Sequence, residues 1–308
     1  MPSSAADRSA PLRSFLDPDV LAGLGGLPLL ARRPMRGTVS GRHTSPTKGS
    51  SVEFAQYRKY VPGDDLRRLD WRAHGRSDRF YVKEFEADTN LRCCLVVDTS
   101  GSMEFGSGAV NKLEYARRLA ATIGYLAVQQ GDAVGLSCVA EGVIQHLPPR
   151  RNPSHLRSVF DTLEQATGQG GTDLIEVLHE QAETIGQGAL VVVISDLFVD
   201  PDLLRDCFEH LRFRKHDLAV FHLLDPQELG FDFSRPTRFL DMEGGEAIFA
   251  DPSEIAHRYH QALKIYLDRV QEVVTQSGVD YHRVSVNEAH GDVLAKFLVR
   301  RATARSVR

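Results

Sequence analysis

The sequence is poor in cysteine, and near its amino terminus it has no long apolar run. Each shortage removes a class of function. Its four cysteines, Cys93, Cys94, Cys138 and Cys207, show no C-x-x-C spacing. A structural zinc site or a redox dithiol therefore lacks its ligands, and the thiols read as buried and free in a reducing compartment. The longest apolar run near the amino terminus, residues 20–31, is broken by three glycines, whereas a membrane span needs about twenty apolar residues. The start has no basic region followed by an apolar core, so no signal peptide is read. The expectation is a cytoplasmic protein without a transmembrane segment. The twelve histidines contain no H-E-x-x-H. No Lys-Ser/Thr follows Gly170 and Gly171, which excludes a phosphate-binding P-loop. A net charge of −4 and the absence of a recognition motif argue against nucleic acid as a partner. The charge is uneven, with nine Lys/Arg against four Asp/Glu in residues 1–60. That stretch reads as a solvated arm or as a face for an acidic partner.

What is present is an ordinary apolar fraction of 42% arranged in short, fully apolar runs separated by helical patterns. Residues 91–98, 132–140, 190–195 and 218–224 read as buried strands, with a second hairpin strand at 141–147 and shorter strands at 79–86 and 279–286. Helical spacing marks 111–130, 153–167, 174–185, 201–213, 252–277 and 291–301, and a short, glycine-loosened helix is expected over 17–30. A further hairpin is expected over 237–250, with Gly244 and Gly245 at its turn. Strands alternating with helices imply parallel βαβ units. The expected fold is a Rossmann-like, doubly wound, mostly parallel α/β sheet with an amino-terminal β-containing extension. Its expected divisions are a flexible and helical segment (1–36), an extension with short strands (37–90) and the α/β domain (91–308).

Three loops at the ends of these runs carry oxygen ligands. The first is Asp98-Thr99-Ser100-Gly101-Ser102, the second Gly170-Gly171-Thr172-Asp173, and the third Ser195-Asp196. In a doubly wound sheet such loops meet on one edge. Asp98, Ser100, Ser102, Thr172 and Asp196 would then surround one hard divalent cation, Mg²⁺ or Mn²⁺ (or Ca²⁺), with a position left for water or a partner's carboxylate. Asp173 reads as a helix amino-terminal residue rather than a ligand. Serines after a strand also cap helices, so the first loop alone would not make the case. The polar turn with Asp64, Asp65, Arg67, Arg68, Asp70 and the single tryptophan, Trp71, has two readings. It is either an internal salt-bridge network or a docking surface formed by Asp64, Asp65, Arg68, Asp70 and Trp71.

The pattern D-x-S-x-S, then GGTD, then an apolar strand ending in Asp resembles the metal-ion-dependent adhesion site of von Willebrand factor A domains. The stretch GRHTSPTKGSSVEFAQYRKYVPGDDLRRLDWRAHGRSDRFYVKEFE shortly before LVVDTSGSM resembles the bacterial DUF58 family, as does the closing DYHRVSVNEAHGDVLAKFLVRR. The resemblance spans roughly residues 37–301. It implies a von Willebrand factor A-like fold and a non-enzymatic interaction module whose ion takes its last ligand from a partner's carboxylate. Asp98 and Asp196 would anchor the ion's hydration shell, and Ser100, Ser102 and Thr172 would coordinate it more directly. It also implies a MoxR-type AAA+ ATPase, or that ATPase's client, as partner. The competing reading is a Mg²⁺-dependent phosphohydrolase with Asp98 as nucleophile. That chemistry wants a general acid two residues on, and Ser100 stands there instead.

Overall fold

The computed structural model describes residues 13–32, 52–59, 81–87, 91–245 and 247–306. The chain enters through α1 (Pro18–Leu24) and a separate antiparallel ribbon, β1 (Val52–Lys59) with β2 (Tyr81–Ala87). A six-stranded sheet follows. It contains β3 (Arg92–Asp98), β4 (Ala133–Ala140), β5 (Gly142–Arg150), β6 (Leu190–Ser195) and β7 (Asp217–Leu224). Beyond the small hairpin of β8 (Thr237–Phe239) and β9 (Ile248–Ala250), the sheet is completed by β10 (Asp280–Ser285). The helices after the ribbon are α2 (Lys112–Gln129), α3 (Pro153–Gln165), α4 (Leu174–Thr184) and α5 (Pro201–Phe213). They continue with α6 (Pro226–Gly230), α7 (Pro252–Gln276) and α8 (His290–Ser306).

The strand order is β10-β7-β6-β3-β4-β5, parallel throughout except that β5 runs antiparallel to β4. This is the doubly wound, mostly parallel α/β fold expected. The chain works outward from β3 to β5, then returns and works outward on the other side from β6 to β10. Between β3 and β6 the order reverses, and the loops leaving those two strands diverge to open a crevice.

The strands are apolar on both faces because both faces are covered. Along β3, Cys93, Leu95 and Val97 pack into one cluster with Leu113, Leu119 and Ile123 of α2 and with Phe297 of α8. Cys94 and Val96 point the other way, into a cluster with Leu178 of α4, Phe208 of α5 and Val273 of α7. The period of two places neighbours on opposite faces. Each such side chain, fully buried, contributes about 1.5–3 kcal/mol. Edge strand β5 carries Pro148 and Pro149, tolerated because one of its sides lacks a ladder to donate to.

Among the described residues, five helices open on an Asp-Pro or Asn-Pro pair, at Asp17, Asn152, Asp200, Asp225 and Asp251. The Asp or Asn side chain accepts a first-turn N–H, and proline removes a donor that would otherwise be orphaned.

Helix α1 is shorter than the 17–30 expected, stopping before Gly25 and Gly26, where a glycine costs about 1 kcal/mol in a helix. Within the stretch read as flexible, residues 13–32 are packed. Phe15, Leu16, Leu24 and Leu29 are buried in the core. Arg13 pairs with Asp161 and Glu164, and the Arg32 guanidinium lies 3.7 Å from Asp280 Oδ1, so part of the basic charge is answered internally. The Arg32 backbone N–H also donates to Asp217 at 2.6 Å. At the far end Arg301 is fully buried. It donates to Asp280 Oδ2 at 2.8 Å, to Asp217 and to the Leu30 carbonyl, tying α8, β7, β10 and the amino-terminal segment together. All four cysteines are free and buried. Among the described residues no helix is long and apolar enough to cross a membrane.

Candidate functional site

The crevice between β3 and β6 collects the predicted oxygens. Strand β3 is buried to its end, so Asp98 arrives there 1% exposed. Its Oδ1 accepts the Ser100 N–H at 2.9 Å, and its Oδ2 accepts the Ser195 hydroxyl at 2.6 Å. Ser100 Oγ and Ser102 Oγ stand 3.1 Å apart. From β6, Asp196 follows Ser195 directly and is fully buried. The next residue, Leu197, has φ +53°, a left-handed conformation costing a non-glycine residue about 1–2 kcal/mol. It is held by its N–H to Ser195 Oγ (2.9 Å) and by Tyr266, whose hydroxyl donates to its carbonyl.

The loop carrying Thr172 is pinned to the first by backbone bonds. Gly101 N–H donates to the Gly170 carbonyl at 2.9 Å, and Gln169 N–H donates to the Thr99 carbonyl at 3.0 Å. Asp173 sits at the amino-terminal cap of α4, exposed and making no side-chain cap bond. Thr172 Oγ1 is buried without a hydrogen-bond partner among the described residues. The cost of such an orphan is about 1–3 kcal/mol.

The electrostatics are those of a crowded acidic site. Burial, and then the charge of Asp196, push the Asp98 carboxyl up to about 6, against the hydrogen bonds from Ser195 and Ser100 that pull it down. One cation answers. Lys112, at the start of α2 and 1% exposed, places Nζ 2.7 Å from Asp196 Oδ2 and 2.6 Å from Glu228 Oε1 of α6. Burial disfavours the ammonium, but the two carboxylates outweigh it and hold Lys112 above the usual lysine range. Burial pushes Glu228 up, with Lys112 opposing. Among the described residues no three His, Cys, Asp or Glu side chains converge as a ready metal cluster. A cation here would therefore depend on hydroxyl oxygens as well as carboxylates.

Asp98, Ser100, Ser102 and Asp196 are thus brought to one edge by direct bonds or shared neighbours, and Thr172 reaches it through its loop. Lys112, Glu228 and Ser195's bond to Asp98 escaped the sequence reading. The only local signal was Lys112's place in the first helical turn after the serine loop. Asp64, Asp65, Arg68, Asp70 and Trp71 lie outside the described residues.

A family model described as "protein of unknown function DUF58" matches residues 56–265. The chain is 27% identical over 216 residues to uncharacterized proteins of Mycobacterium tuberculosis and Mycobacterium bovis, covering 69% of this chain and 68% of theirs. Among solved structures, it is similar to a conserved hypothetical protein BatB from Bacteroides thetaiotaomicron, with 18% identity, a TM-score of 0.47, and coverage of 70% of this chain and 100% of that one. It is also similar to a von Willebrand factor type A protein from Catenulispora acidiphila, with 12% identity, a TM-score of 0.40, and coverage of 71% and 44%.

Proposed function

The chain belongs to the DUF58 family, and from that premise we propose that it is a non-catalytic protein-interaction module with a von Willebrand factor A-like, metal-dependent docking edge. Asp98, Ser100, Ser102, Thr172 and Asp196 would hold a divalent cation, Mg²⁺ or Mn²⁺ in the first instance. When bound, the ion would supply an electrophilic position for a carboxylate. The observation that carries this reading is the pair of buried, mutually repelling carboxylates at the sheet's reversal point, with an orphaned Thr172 hydroxyl on the loop bonded to the serine loop. Oxygen-only donors of this kind suit a hard cation, and a divalent charge would offset the burial and the Asp196 charge that lift Asp98. The proposed partner is a MoxR-type AAA+ ATPase or its client, in a chaperone-like assembly in the cytoplasm. Phe198, two residues past Asp196 and 57% exposed, offers an apolar contact beside the site.

Lys112 meets one requirement of a phosphohydrolase, a cation near the carboxylates. However, it is engaged by Asp196 and Glu228, and Ser100 still replaces the acid. The test is a pull-down from the native organism with wild-type and Asp98→Ala baits, each run with Mg²⁺ and with EDTA. A partner retained by wild type only in Mg²⁺, and by Asp98→Ala in neither condition, supports the proposal. Partners indifferent to both the metal and the substitution overturn it.

A further inference from the structure

The β8–β9 hairpin folds onto the candidate site. Its Met242 carbonyl lies against Gly101, the residue between Ser100 and Ser102. A Cβ on Gly101 would come within 2.1 Å of that oxygen, so only glycine permits the approach. The next residue, Glu243, extends toward the second loop, where a Cβ on Gly171, next to Thr172, would lie 3.9 Å from Glu243 Oε2. The tip is shaped for this. Asp241 Oδ1 accepts the Glu243 N–H at 2.8 Å, and Gly244, at φ +100°, turns the chain back.

Glu243 differs from the other acids around this loop. Glu104 accepts from Gly168 N–H and Asn111, each at 2.8 Å, and Glu141 accepts the Gly171 N–H at 3.2 Å. Glu243 Oε1 is buried and has no hydrogen-bond partner among the described residues, the same condition as Thr172 Oγ1. A buried carboxylate oxygen without a donor is costly. A single hard cation within reach of both oxygens, a carboxylate and a hydroxyl on adjoining segments, would satisfy them.

We infer that Glu243 is an in-chain ligand of the docking edge, filling the position that a partner's carboxylate otherwise takes. The inference rests on the metal-dependent reading above. It makes the hairpin a built-in competitor, so docking requires residues 237–250 to lift, and the partner must supply an acidic side chain able to replace Glu243.

The experiment titrates Mn²⁺ into the full chain as wild type, Asp98→Ala and Glu243→Gln, with and without sodium acetate as a carboxylate probe. Hydrogen exchange is followed in residues 237–250. Wild type is expected to bind Mn²⁺ and to exchange more slowly in the hairpin when it does. Glu243→Gln is expected to bind about tenfold more weakly, the loss of one charged ligand, and to show no metal-linked protection. Acetate is expected to restore its affinity while leaving wild type unchanged. If Asp98→Ala loses Mn²⁺ but Glu243→Gln matches wild type in affinity and protection, the hairpin assignment is overturned and the site reading stands. The same holds if acetate tightens wild type as much as Glu243→Gln. If wild type does not bind Mn²⁺, or Asp98→Ala binds it equally, both fall.

Discussion

Lys112 Nζ lies 2.7 Å from Asp196 Oδ2, with both side chains buried at the reversal point of the sheet. This lysine is the built-in counter-charge of the site. Breaking a buried pair by removing one partner costs about 3–5 kcal/mol, because the remaining charge is left uncompensated. Lys112→Met strands Asp196 and Glu228 together. Urea unfolding in metal-free buffer is expected to show a loss of that size, and millimolar Mg²⁺ is expected to recover more stability in Lys112→Met than in wild type. A loss below about 1 kcal/mol, the value of an exposed pair, would contradict the account.

Asp280 makes an acid-sensitive fastening on the opposite side of the sheet. Burial alone would raise its carboxyl. The His282 hydrogen bond and the charges of Arg301, His282 and Arg32 outweigh that and bring it from 3.8 to about 2. Between these values the unfolded chain binds more protons than the folded one, so stability rises with pH in that window. The contribution is complete above about pH 5 and fades as pH falls through about 2, with a total of about 2 kcal/mol. Unfolding free energies measured from pH 5 down to pH 2 should show this component in wild type and a smaller one in Arg301→Met, where His282 and Arg32 still face Asp280. Arg301→Met should also lose about 3–5 kcal/mol at neutral pH, since Asp217 and Asp280 both lose their contact with the buried guanidinium.

Gly101→Ala tests the approach of the hairpin without touching a carboxylate. The added Cβ meets the Met242 carbonyl at 2.1 Å, too close to be absorbed by a side-chain rotation, so the hairpin is expected to move. Limited proteolysis should cut within residues 237–250 faster in Gly101→Ala, with the far-ultraviolet spectrum unchanged. Equal cleavage rates would show that the hairpin does not rest on this loop.

The thiols are expected to be inert in the folded protein. Burial pushes Cys94, Cys138 and Cys207 up to about 12 and Cys93 well above the ordinary range, and the thiolate is the reactive form. A disulfide-exchange reagent at neutral pH should label none of the four within minutes, and all four after urea is added. Rapid labelling of the native chain would place a cysteine at the surface.

Much of the scaffold was legible because local patterns coincide with the tertiary answer. The run from Leu190 to Ser195 has no polar residue before its last position, which suits a strand covered on both faces. The Asp-Pro and Asn-Pro pairs announce helix starts through bonds made within four residues. The three oxygen-bearing loops were visible because each follows a buried strand or opens a helix, and topology brings such ends together. What escaped were pairings between charges distant in sequence. Lys112 and Arg301 sit in amphipathic helices, where a basic residue ordinarily faces water, and nothing within a turn of either reveals Asp196, Glu228, Asp217 or Asp280. The glycines after Leu24 suggested looseness, whereas Leu29 and its neighbours pack into the core outside any helix. The hairpin over 237–250 was read as a hairpin. Its approach to Gly101 is a contact across more than a hundred residues that no periodicity encodes.

The most direct test of the docking edge is calorimetric titration of Mg²⁺ into metal-free wild type and Asp98→Ala at neutral pH, with circular dichroism to establish that both are folded. The account predicts saturable one-to-one binding to wild type and none to Asp98→Ala. Equal heats and affinities for the two proteins, or no binding to either, would contradict it.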